Sequence, residues 1–320
     1  MTGKREKANT KKTRAGFVAI IGRPNAGKST LLNRLVGQKV AIVTAKPQTT
    51  RNRIQGIVTL PAGQIVFIDT PGLHEADTML NRQMMREVAA ALEGIDLLLM
   101  LVDASRTLPH ADSLLLERGK RFAGKTILAL NKIDRLAKPR LLPLMEAFAK
   151  QFPFAALVPI SALKGDGCEK LLEEILKNLP EGEPFFPEDQ VTDQPERFLV
   201  SEIIREKAIE LTYHEVPHAL AVVVDRFEEL PNLLRVHARL SVERESQKKI
   251  LIGHKGEMLK KVGTAARKEL EAMLGTKMFL GLFVKVAPDW RENLQKVREL
   301  DWHTQLEELA GRERRQKVEE

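Results

Sequence analysis

Nine consecutive residues, Gly22-Arg23-Pro24-Asn25-Ala26-Gly27-Lys28-Ser29-Thr30, have the types and spacing that hold a phosphate chain. Two glycines let the backbone curl so that several N–H groups point at one anion. Lys28 supplies a point charge for β- and γ-phosphates, and Ser29 a hydroxyl for Mg²⁺. A helix starting at Lys28 adds the positive end of its dipole. Further along, Asp69-Thr70-Pro71-Gly72 offers a carboxylate able to hold Mg²⁺ through water and a Gly72 N–H able to meet a γ-phosphate. Asn131-Lys132-Ile133-Asp134 ends with a carboxylate that can accept from both N1–H and the 2-amino group of guanine. Adenine offers no such pair, and a carboxylate left unpaired in a buried site is costly. Lys132 can lie over base and sugar, and in Ser161-Ala162-Leu163 a backbone N–H can meet the guanine O6.

A second constellation lies near the other end. Ile252-Gly253-His254-Lys255-Gly256, between two helical patterns, has the I-G-x-x-G form of a KH module, whose loop clamps about four nucleotides. His254 and Lys255 face phosphates in this reading, and Ile252 floors a base groove. Arg244 to Lys268 holds eight Lys/Arg, Lys260 and Lys261 among them, against Glu245 and Glu257. The window therefore reads as a basic nucleic-acid face.

The elements that must position these residues follow from hydropathy. Strands are expected at 17–21, 54–60, 64–69, 96–102, 126–130 and 156–160, most of them near-continuous apolar runs suited to burial on both faces. Helices are expected at 28–36, 80–92, 111–122, 140–151 and 167–178. The pattern is a doubly wound, mostly parallel α/β sheet with ligands at the carboxyl ends of its strands. Pro61-Ala62-Gly63 joins strands two and three as an antiparallel hairpin. The expected organisation is a basic tail (1–14), a nucleotide domain (15–180), an acidic Pro-containing linker (181–195), an α+β domain of order α-β-β-α-α-β (196–298) and an extension (299–320). Phe185-Phe186 would pin the linker, and a short helix carries Trp302 in the extension.

Composition narrows the rest. Net charge is +8 with pI near 9.5, which suits a polyanionic partner. Aromatic content of 5% argues against a broad base-stacking platform. The one cysteine, Cys168, excludes an internal disulfide and suits a reducing cytosol. No apolar run reaches the ~18–20 residues of a membrane span, and the basic N-terminus has no apolar core behind it.

Four strand-end motifs in this order resemble the TRAFAC class of GTPases. That resemblance implies a switch I threonine as Mg²⁺ ligand; Gln48-Thr49-Thr50-Arg51 fits, with Thr50 preferred and Thr49 the neighbouring candidate. Leu73 stands where many small GTPases place a water-orienting Gln, so the catalytic group is unassigned and the resemblance narrows to the hydrophobic-substituted GTPases. Joined to a type II KH domain, the chain is similar to the Era family over about residues 15–298. The family implies a GTP-hydrolysing switch that binds the 3′ end of small-subunit 16S rRNA and assists 30S ribosomal subunit assembly. It also implies a cytoplasmic monomer with peripheral contact at the inner membrane. The competing reading is an RNA-binding module for other RNA, with the nucleotide domain as a regulatory or vestigial scaffold. Intact Lys28, Ser29, Asp69, Asn131 and Asp134 argue against it.

Overall fold

The structure is a computed structural model that describes residues 13–72, 77–106, 113–213 and 216–299. Leu73, nearly all of the basic tail and the extension with Trp302 lie outside the described residues. The first unit runs β1 (Arg14–Gly22), α1 (Lys28–Val36), β2 (Ile54–Leu60), β3 (Gly63–Asp69), α2 (Met79–Ala91), β4 (Leu97–Asp103), α3 (Ser113–Gly119), β5 (Thr126–Asn131), α4 (Leu141–Ala149), β6 (Ala156–Pro159) and α5 (Cys168–Asn178). Its sheet has the order β2-β3-β1-β4-β5-β6. Only β2 runs antiparallel, paired with β3 through the short turn.

Successive side chains of a strand point to opposite faces, and here both faces are covered. On β4, Leu97, Leu99 and Leu101 join one core with Leu31, Leu32 and Leu35 of α1 and Leu171 and Ile175 of α5. Leu98, Met100 and Val102 join a second core with Val88 of α2, Leu115 of α3 and Phe148 of α4. That double burial is why the strand reads as an unbroken apolar run rather than an alternating one.

The second unit runs α6 (Glu196–Leu211), α7 (Val216–Ala219), β7 (Ala221–Leu230), β8 (Leu233–Val242), α8 (Glu245–Ile252), α9 (Glu257–Leu274), β9 (Met278–Val286) and α10 (Leu294–Arg298). Its sheet has the order β7-β8-β9; β7 and β8 are antiparallel, β8 and β9 parallel. Buried and half-buried residues alternate strictly along β8, so only one face of this sheet is packed under helices.

The stretch between the units is tied down along the first sheet. The Gln64 side chain accepts from Phe185 N at 2.8 Å and Phe186 N at 3.0 Å and donates to Phe186 O at 2.9 Å. The Phe185 ring sits 4.8 Å from that of Phe17. Thr192 Oγ1 donates to Gln55 O at 2.7 Å, just before α6 begins.

Candidate nucleotide site and nucleic-acid groove

At the carboxyl end of β1 the chain turns into α1 without a side-chain cap, so the first helical N–H groups stay available to an anion. Gly27, the residue before the helix, has φ 101°, a left-handed conformation that glycine takes without strain. A Cβ there would also come within 2.4 Å of Asn131 Nδ2. Lys28 Nζ is folded back onto the loop, donating to Gly22 O at 3.1 Å and Arg23 O at 3.2 Å.

Three oxygens converge beside it. Ser29 Oγ donates to Asp69 Oδ2 at 2.6 Å and lies 2.9 Å from Thr50 Oγ1. Thr49 is engaged elsewhere, with Thr44 Oγ1 and Lys46 O, each at 2.7 Å. Thr50 is therefore the threonine that reaches the Ser29–Asp69 pair. Asp69 is fully buried, and its Oδ1 has no hydrogen-bond partner. Burial pushes its carboxyl up to about 6, partly offset by Lys28, the Ser29 hydroxyl and the Thr70 backbone. Burial likewise pulls the Lys28 ammonium down to about 8, against the attraction of Asp69. A hard divalent cation beside Asp69 and phosphates beside Lys28 would restore both charges. Hydroxyl and carboxylate oxygens are the donor set that Mg²⁺ takes.

The base side is built on β5 and β6. Asn131 is buried and ties two loops together: Nδ2 donates to Ala26 O at 2.8 Å, and Oδ1 accepts from Ala162 N at 2.9 Å. Lys132 has φ 66° and sends Nζ across the cleft to Asn25 O and Asp103 Oδ2, both at 2.7 Å. Ser161 Oγ donates to Asp134 Oδ1 at 2.6 Å, and this bond holds the Asp134 carboxyl below the usual carboxylate range. An open cleft of about 620 Å³ joins both sides, lined by residues including Asn25, Lys28, Ser29, Thr30, Thr50, Gly72 and Lys132. Its volume is in the range of ligand pockets.

Sequence reasoning missed the residues that position this set. Asp103, itself held by the Ser105 hydroxyl at 2.6 Å, fixes Lys132. Arg34 reaches from α1 to Ala162 O at 3.2 Å and Leu163 O at 2.6 Å, fixing the loop expected at the guanine O6. It also missed that the second unit grips residues 39–51. Lys39 Nζ bonds Glu206 and Glu269, each at 2.5 Å, and Arg205 of α6 donates to Thr49 O. Arg51 donates to Leu220 O at 2.7 Å and His218 O at 3.3 Å. Ile42 is buried in the core of the second unit rather than the first.

In that second unit, Gly253 has φ 73°, and a Cβ there would meet Met258 Cβ at 2.7 Å. His254 and Lys255 are exposed between Gly253 and Gly256. Beside the loop an open groove is lined by Gly256, Leu259, Lys260, Gly263, Thr264, Arg267, Leu280 and Leu282. Leu280 and Leu282, which spacing did not suggest, form its apolar wall; Ile252 is half-buried against the same core as they are but is not among the groove's lining residues. Lys261 is exposed but does not line the groove.

Residues 17–132 match the family model of 50S ribosome-binding GTPases, and residues 215–291 match that of KH domains. The chain is 50% identical over 293 residues to GTPase Era of Geotalea uraniireducens, covering 91% of this chain and 99% of that protein. It is 50% identical over 292 residues to GTPase Era of Syntrophus aciditrophicus, covering 91% and 95%. Two crystal structures superpose with TM-score 0.87 at 42% identity over 91% of this chain and 99% of theirs. One is an Aquifex aeolicus Era variant bound to GDP·AlF4⁻. The other is Era in complex with MgGDPNP and nucleotides 1506–1542 of 16S ribosomal RNA.

Proposed function

The chain belongs to the Era family of GTPases, and from that premise we propose that it hydrolyses GTP in the cleft below α1 and binds small-subunit rRNA through its KH domain. The observation that carries the reading is convergence: Lys28, Ser29, Thr50, Gly72 and Lys132, from four stretches of chain, line one cleft, with Asp69 bonded to Ser29 and Asn131 bonded to the phosphate loop behind them. A related structure holds MgGDPNP and a 16S rRNA segment together, which supports both ligands at once.

In this reading Gly22 to Thr30 wraps the phosphates with backbone N–H groups, and Lys28 leaves its carbonyl partners to face the β- and γ-phosphates. Asp134 selects guanine by accepting two N–H groups, while Asn131 holds the base loop against the phosphate loop. Ser29 and Thr50 hold Mg²⁺, with Asp69 behind them. The cation, when bound, neutralises charge that develops on the phosphoryl oxygens. Gly72 N–H meets the γ-phosphate. Leu73 stands in the sequence where a water-orienting Gln is common, so turnover in this reading relies on another group, a cation or a partner. In the KH domain, Gly253, His254, Lys255 and Gly256 take the RNA backbone, with Lys260 and Arg267 along the groove.

We place the protein in assembly of the 30S subunit, acting as a monomer in the cytoplasm. No described helix is long and apolar enough to cross a membrane, so contact with the inner membrane would be peripheral and electrostatic. RNA pull-down by the full chain with a GTP analogue, GDP or no nucleotide, followed by sequencing, tests the reading. Enrichment of 16S rRNA 3′ ends that depends on nucleotide supports it. Enrichment indifferent to nucleotide favours the vestigial scaffold, and no enrichment removes the rRNA assignment.

A further inference from the structure

Strand β9 is the edge of the KH sheet, and its side chains serve two surfaces. Leu280 and Leu282 line the groove beside Gly256 and Lys260. Phe279 and Phe283 turn the other way, onto the face no helix covers, and are 49% and 58% exposed. Across the ladder, Arg235 stands opposite Phe279, His237 opposite Gly281 and Arg239 opposite Phe283. Gly281 makes room for the imidazole, since a Cβ there would come within 2.8 Å of His237 Nδ1. The His237 ring lies 5.5 Å from that of Phe279, tilted by 51°. The result is a strip of rings flanked by cations.

The charge balance of this face favours an anion. Arg226, Arg235, Arg239 and Lys285 stand against Asp225 and Glu228, a surplus of two positive charges. Arg226 holds Glu228 closely, at 2.5 Å, but the other two ion pairs are partly exposed and long: Arg235 to Glu228 at 3.5 Å and Arg239 to Asp225 at 3.3 Å. The two long pairs are worth little and leave Arg235 and Arg239 able to exchange them for phosphate contacts. The rings are separated by charged and polar groups, so the face is not the contiguous apolar patch that a protein partner favours. Open aromatic faces next to arginines are what unpaired bases stack on.

We propose that this outer face of the KH sheet is a second RNA contact, which takes the single strand as it passes over the β9 edge from the groove. Bases stack on Phe279 and Phe283, and phosphates lie against Arg235 and Lys285. The platform is small, two phenyl rings and an imidazole, in keeping with the low aromatic content. It rests on the groove being the primary RNA site, because the same strand forms the wall of one surface and the floor of the other.

The test uses the full chain and two lengths of single-stranded RNA ending like the small-subunit rRNA 3′ terminus. One has four nucleotides, enough for the G-x-x-G loop alone. The other has twelve, with 2-aminopurine at positions beyond the first four. Phe279→Ala and Phe283→Ala should leave the short RNA unaffected and weaken the long one about tenfold each, the scale of base–aromatic stacking. Quenching of 2-aminopurine should appear with the unmodified chain, fade in both alanine variants and return in Phe283→Tyr. Arg235→Gln and Lys285→Gln should each lower the salt dependence of long-RNA binding by about one unit of slope, which the alanine variants should not. Unchanged long-RNA affinity and quenching, with the short RNA still bound, would overturn the platform and leave the groove standing. Failure of both lengths to bind would overturn groove and platform together. A loss seen only with assembled ribosomal particles would assign the face to a protein and overturn the proposal as well.

Discussion

Glu206 accepts a hydrogen bond from the backbone N–H of Val43 at 2.8 Å, so α6 of the second unit holds the segment that leads to Thr50. The same carboxylate binds Lys39, and the neighbouring Arg205 holds Thr49 O. Ile42 adds a buried side chain worth roughly 1.5–3 kcal/mol to the same contact. The segment carrying the candidate Mg²⁺ ligand is thus tied to α6 at Lys39, Val43 and Thr49.

Arg205→Met should therefore weaken binding of a GTP analogue more than binding of GDP, because only the γ-phosphate state uses an ordered switch I. The lost buried hydrogen bond sets the scale at about 1–3 kcal/mol, or roughly five- to 150-fold in the ratio of the two affinities. Isothermal titration with both nucleotides measures this; an unchanged ratio would show that the grip on residues 39–51 is only structural.

Lys28→Ala should cost more than tenfold in GTP affinity while the fold persists, because the loop loses the charge aimed at the β- and γ-phosphates. Fluorescent GTP binding reads it directly. Near-normal affinity and turnover would remove Lys28 from the phosphate site.

Asp134→Asn should shift preference from GTP to XTP. The carboxylate accepts from the guanine 2-amino group, whereas xanthine presents a carbonyl to which an amide can donate. Ser161 Oγ can still donate to the amide oxygen, so the loop should hold its shape. Competition between the two nucleotides decides it, and a variant that still prefers GTP places Asp134 outside base recognition.

Replacing His254 and Lys255 together by aspartates should abolish RNA binding and spare RNA-free GTP turnover. Both side chains are exposed, and surface substitutions usually stay within about 0.5 kcal/mol of the parent stability. The new carboxylates would repel phosphates at close range. Anisotropy with a short RNA, run beside a turnover assay, separates the two effects; RNA affinity that survives would leave the basic window as a solvated face.

The phosphate loop, the base loops and the sheet were readable because their signals are local: strand, glycine turn and helix follow one another within a few residues. The residues that position them carry no such signal, since their partners are distant in sequence. Lys132 and Asp103 are 29 positions apart, Arg34 and Ala162 are 128, Arg205 and Thr49 are 156, and Arg51 and Leu220 are 169. Each of these positioning residues is a charged side chain that a sequence reader assigns to the surface. The groove wall shows a different limit. Leu280 and Leu282 alternate with Phe279 and Phe283 in one apolar run, and spacing alone does not say which pair faces the helices.

The bonds from Gln64 to Phe185 and Phe186, and from Thr192 to Gln55, turn most of the connecting stretch into part of the first domain's edge. Between Thr192 and the start of α6 only residues 193–195 are left, a span of about 10 Å at full extension. Such a joint is a short tether rather than a leash. A strand gripped by the KH loop is therefore kept within a fixed reach of the nucleotide domain, and the three free residues add no more than about 10 Å to that reach.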